Sequence, residues 1–65
     1  MNQEKLNQMQ AYGSVLSDLG STLYNLDGLN SLGEGAQTKI REFAVQAAEA
    51  GRKIAIKMQA LTTED

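Results

Sequence analysis

A chain of 65 residues with no cysteine, no histidine and a net charge of −2 is one domain at most. It has neither disulfides nor ordinary zinc ligands to brace so small a fold, so partner chains are the expected source of stability and no metal or cofactor is expected. A mildly acidic total argues against general nucleic-acid coating and against duplex DNA as a partner, and no run approaches the roughly 20 apolar residues of a membrane span.

The first eight residues, MNQEKLNQ, are polar and lack the apolar core of a signal peptide. Together with the missing cysteines this gives a soluble, cytoplasmic expectation, with residues 1–3 frayed. A first helix is expected over about residues 4–26. Met9, Tyr12, Leu16, Leu19, Leu23 and Leu26 alternate three- and four-residue steps, the heptad seam of helices that pack nearly parallel or antiparallel. Gly13 and Gly20 lie seven apart beside that seam, each costing about 1 kcal/mol in a helix interior relative to alanine. Two in one register point to a close approach of another backbone or a ligand, against the plainer reading of a locally weakened helix.

Residues 27–35, DGLNSLGEG, break the pattern with turn signals. Gly28 is a candidate left-handed residue closing the first helix. Ser31 and Glu34 have capping-box spacing, although Gly33 and Gly35 oppose so early a start for the next helix. The second helix is expected over about residues 36–61. Its alanines, glutamines and long straight side chains lose little rotamer freedom on ordering. Ile40, Phe43, Ala47, Ile54, Met58 and Leu61 share one face; Val45 and Ile56 project from the other side. One partner helix needs one apolar stripe, so the second stripe reads as an oligomer interface through Val45 and Ile56. Gly51, among alanines in mid-helix, marks a close approach and is placed at the same interface. The fold class that follows is all-α: one helical-hairpin domain over residues 1–65, two antiparallel helices assembling into a symmetric homo-oligomer.

Catalysis is not expected. Without histidine or cysteine no usual nucleophile–base pair can be built, the serines have no evident activating partner, and GEG in the turn lacks the lysine of a phosphate-cradling loop. Binding is more readily supplied. The charge is uneven: Lys39, Arg41, Arg52, Lys53 and Lys57 oppose only Glu42 and Glu49 in the second helix, while the first half is acidic. A solvated helix surface is the plain reading of that split; attraction of an anion is the functional one. Arg52, Lys53 and Lys57 can meet phosphate oxygens, and symmetric copies would bring several cations onto one anion. Tyr12 and Phe43 fall on the seams, where core packing is the first expectation. Tyr24 is offset and suits a rim position or base stacking.

The segment Leu6 to Leu19, LNQMQAYGSVLSDL, followed by Leu23, resembles the phage anti-CBASS sponges, small helical proteins that sequester cyclic oligonucleotide immune signals. Leu6, Asn7, Met9, Gly13, Leu16 and Leu19 keep the frame of that family's first helix, and Gly51 with Lys57 matches the glycine and basic residue of its second. Gln10 stands where the family has lysine, and the N-terminal segment that gives the family an aromatic residue is missing. The resemblance implies a hexamer-like assembly in an infected host cell, with a cyclic di- or trinucleotide held between subunits. Lys57 is then the first candidate for a phosphate contact, with Arg52 and Lys53 beside it and Tyr12 for base stacking. The alternative is a helical-hairpin dimer, a four-helix bundle similar in outline to a plasmid copy-control protein that binds paired RNA loops. Lys39, Arg41, Arg52 and Lys53 would form its RNA face, or the Val45–Ile56 stripe would serve a protein partner.

Overall fold

The computed structural model describes residues 2–62, and these form an all-helical hairpin: α1 (Gln3–Tyr24), a 3-10 segment (Asp27–Ser31) and α2 (Glu34–Thr62). Fraying is not seen at Gln3. The helix begins there because the Asn2 side chain accepts from the Lys5 amide at 3.3 Å, satisfying one of the donors a helix start leaves open. Fraying of Met1 lies outside the described residues. At the other end α1 stops two residues short of its expected end, and Asn25 donates its side-chain amide to the Ser21 carbonyl at 2.9 Å.

The turn is built differently from the sequence expectation. Gly28 does not close α1 in a left-handed conformation; no glycine among the described residues has positive φ. It belongs to the 3-10 segment, where Ser31 donates its hydroxyl to the Gly28 carbonyl at 2.7 Å. That bond uses the hydroxyl expected to cap α2, so no Ser31–Glu34 capping box forms. The α2 start is held instead by Gln37, whose amide reaches the Gly33 carbonyl at 3.0 Å and whose side chain donates to the Leu32 carbonyl at 2.6 Å. Leu29 is the most buried leucine, 3% exposed, and closes the turn end of the hairpin.

The largest departure is in which residues face the partner helix. The contact stripe of α1 is Leu6, Gly13 and Gly20, and that of α2 is Ala44, Ala48 and Gly51, with Ala55 half-buried beside them. Gly20 lies against the Ala44 carbonyl and Ala48 amide; Gly13 lies against the Gly51 carbonyl and Ala55 amide. Seven residues back along α1 match seven residues forward along α2, one antiparallel register. From Gly13 to Gly20, where the facing side chains are no larger than methyl, the two backbones touch. The molecule is accordingly a thin slab, 50 × 14 × 11 Å between Cα atoms.

The two expected seams therefore do not face each other. At about 100° per residue, Met9, Tyr12, Leu16, Leu19 and Leu23 fall to one side of the α1 contact stripe. Ile40, Phe43, Ala47, Ile54 and Leu61 fall to the same side of the slab from α2. Ile54 sits at the border of the contact, its Cγ2 3.0 Å from where a Cβ on Gly13 would stand. Tyr12 and Phe43, expected in the core, are 70% and 62% exposed, and Leu19 is 60% exposed. Small residues win the contact because the closest approach of two helices is set by their bulkiest facing side chains, and only the glycine–alanine stripe removes that limit.

A candidate anion-binding groove

The opposite side of the slab is mixed in character. Gly20, Ser21, Tyr24 and Asn25 of α1 and its cap border a shallow groove of about 270 Å³ with Ala44, Val45, Ala48, Glu49 and Arg52 of α2. A second groove of about 490 Å³ adjoins it toward the turn, lined by Tyr24, Thr38, Arg41, Glu42, Val45 and Gln46. Tyr24 and Val45 belong to both, so the two form one open channel along this side.

The Arg41 guanidinium lies over the Tyr24 ring, 5.7 Å from its centroid, and donates to the Gln37 side chain at 3.3 Å. That distance is within the reach of cation–π attraction. Half-burial and a second tether from Gln37 hold the guanidinium in place with donors left over. A positioned ring, a positioned guanidinium and the apolar Val45 side chain offer a flat surface and a charge to an anionic ring compound. Glu42 and Glu49 border the same channel, so one chain's groove is not positive on balance.

The residues expected to bind ligand are not brought together within one chain. Arg52 lines the channel near Tyr24. Lys53 projects from the back of α2. Lys57 falls on the flank that carries Phe43 and Ile54, and Tyr12 lies on the α1 side of that same apolar face. Lys53, Lys57 and Tyr12 are all exposed. Of the residues expected at an oligomer interface, Val45 and Ile56 are exposed on the channel side. Gly51 is instead enclosed by the chain's own α1, against Gly13 and Ser17, and has no surface left for a second chain.

The Tyr24–Arg41 pair is what sequence reasoning did not assemble. Tyr24 stood out as offset from the seam and Arg41 as a cation, but they are 17 positions apart. Only the register of the hairpin stacks them.

No protein-family model, curated protein or solved structure matches this chain. Among the described residues no helix is long and apolar enough to cross a membrane, and no cluster of acidic, histidine or cysteine side chains could hold a metal ion.

Proposed function

We propose that this chain is a non-catalytic binding protein that works as a homo-oligomer and sequesters a cyclic di- or trinucleotide. The observation that carries the reading is the Arg41 guanidinium stacked at 5.7 Å over Tyr24 at the edge of a channel also bordered by Arg52. Nucleobases stack on aromatic rings and guanidinium planes, and arginine takes phosphate oxygens through paired donors. The larger groove's volume lies within the roughly 300–1,000 Å³ of small-molecule clefts. The resemblance of residues 6–19 to the sponge family's first helix points to the same ligand class.

Holding the ligand without changing it follows from the residues on offer: cations, a phenol ring and apolar side chains, with no paired nucleophile and base. Since Glu42 and Glu49 offset the two arginines, the added positive charge comes from other subunits in the assembly, where Lys53 and Lys57 of one chain approach the ligand of another. Titration calorimetry with cyclic di- and trinucleotides at low salt tests this. Saturable binding with no product on chromatography supports it, and no heat with any of them ends it. The second reading, a four-helix-bundle adaptor for RNA or a protein, is favoured by one different observation, the broad exposed apolar face.

A further inference from the structure

We infer that the face carrying Met9, Tyr12, Leu19, Phe43 and Ile54, and not the Val45–Ile56 strip, is where a second copy of this chain docks, two hairpins closing into a four-helix bundle. This rests on the oligomer part of the reading above and is independent of its ligand.

The first argument is periodicity. The hairpin's own contact uses one seven-residue ladder per helix, Leu6–Gly13–Gly20 against Ala44–Gly51. A second ladder is left over on each helix: Met9, Leu16 and Leu23 on α1, and Ile40, Ala47, Ile54 and Leu61 on α2. A strict seven-residue apolar repeat is what side chains need to enter the holes of a neighbouring helix turn after turn. It runs for some three heptads, so the partner must offer helices about 30 Å long. Another copy of this hairpin offers two, with a matching repeat.

Area gives the second argument. The two helices lie side by side over the 22 residues of α1, about 33 Å, and with side chains each is about 10–12 Å across; the face is therefore roughly 700 Å², close to the ~800 Å² per partner of a standard stable interface. Burial gives the third. Among the described residues only Leu6, Leu29, Ala44 and Ala48 form the buried apolar core of the single hairpin, and two of these are alanines. Chains of this length rarely hold together on so little. Closing the face buries the leucines, Phe43 and Ile54 at once. Lysines, at positions 39 and 57, mark the rim of α2; their stems can lie along the apolar surface while the ammonium stays in water.

The test is sedimentation equilibrium of the full chain at micromolar concentration, with circular dichroism on the same samples. The wild type sediments as a dimer or a multiple of it, Leu19→Glu as a single chain, and Thr22→Glu, on the exposed back of α1, at the wild-type mass. If Leu19→Glu loses helicity while Thr22→Glu keeps it, that supports the interface too, since a side chain 60% exposed in the hairpin has little of the chain's own packing to lose. A helical wild-type monomer, an unchanged mass for Leu19→Glu, or dissociation by Thr22→Glu as well overturns it. So does a monomer that floats with phosphatidylcholine–phosphatidylglycerol vesicles, which assigns the face to a lipid surface. A monomer that still binds a cyclic nucleotide overturns this interface alone; an oligomer that binds none overturns the ligand reading alone.

Discussion

Gly13 and Gly51 each occupy the space the other's missing side chain would fill. A Cβ on Gly13 would stand 2.7 Å from the Gly51 carbonyl oxygen and 2.8 Å from the Ala55 amide nitrogen. A Cβ on Gly51 would press on the Gly13 carbonyl and the Ser17 amide. Because the obstructing atoms are backbone on both sides, neither helix can yield locally. The weak Cα–H···O attractions common at close helix crossings are available only at this separation.

Stability should accordingly respond with opposite sign at two glycines that sequence alone treats alike. Helix propensity favours alanine over glycine by about 1 kcal/mol at either. Gly51→Ala should nonetheless lower stability by about 1–3 kcal/mol, as overpacked sites do, and Gly51→Leu by more. Gly35, in the first turn of α2, has nothing within 4 Å of its would-be Cβ. Gly35→Ala should raise stability by about 0.4–1 kcal/mol. Urea melts of both variants decide, and stabilisation by Gly51→Ala would mean the helices are not in contact there.

Leu29 supplies a second check, on the turn. It is buried to 3% exposure from a five-residue 3-10 segment, so its anchoring is what holds the connection against the helix pair. Leu29→Ala should cost about 2–5 kcal/mol, the range for buried leucines. Leu32→Ala, three residues on and exposed, should cost far less. Equal thermal shifts for the two would place the turn away from the helices.

Ligand binding, if it follows the channel, should depend on Arg41 and Lys57 in different ways. Arg41→Gln removes the guanidinium from Tyr24 and should reduce affinity for a cyclic nucleotide at least tenfold, about 1.4 kcal/mol. Lys57→Glu should abolish it only if another subunit's lysine reaches the ligand. Affinity should also fall as salt rises, because exposed charges are screened. A salt-independent affinity measured by calorimetry would exclude a phosphate contact.

Val45 and Ile56 form a smaller apolar strip on the channel side, and their variants have a narrower expected effect than Leu19→Glu. Val45→Glu or Ile56→Glu should reduce a larger ring to its two-hairpin unit and no further, since an unpaired carboxylate is costly only where it is desolvated. Native mass spectrometry reads this directly. A single-chain product from either variant would move the principal interface to this side.

The helices themselves could be read from the chain, because their cause is local. Ala44 to Ala50 and the straight side chains around them favour helix by their own propensity, and the Asp27-Gly28 and Gly33 turn signals mark the break between the two helices. That something comes close at Gly13, Gly20 and Gly51 was legible, since glycine in a helix interior is a local loss that needs a packing reason; what comes close was not, because Gly51 reads as an interface between chains and meets the chain's own α1. The turn was not. Whether Ser31 caps α2 or bonds back to Gly28 depends on where Leu29 buries, which is a tertiary matter.

Which stripe turns inward was decided by the tertiary structure alone. Periodicity names an apolar face on each helix but says nothing about whether the two faces meet or lie side by side. Each helix here carries two interleaved seven-residue ladders, one small and one large, and both satisfy the heptad rule. The small ladders form the hairpin because backbone contact is possible only through them. The large ladders, from Met9 to Leu23 and from Ile40 to Leu61, are thereby left side by side on one exposed face, and Arg41 is brought over Tyr24 on the other.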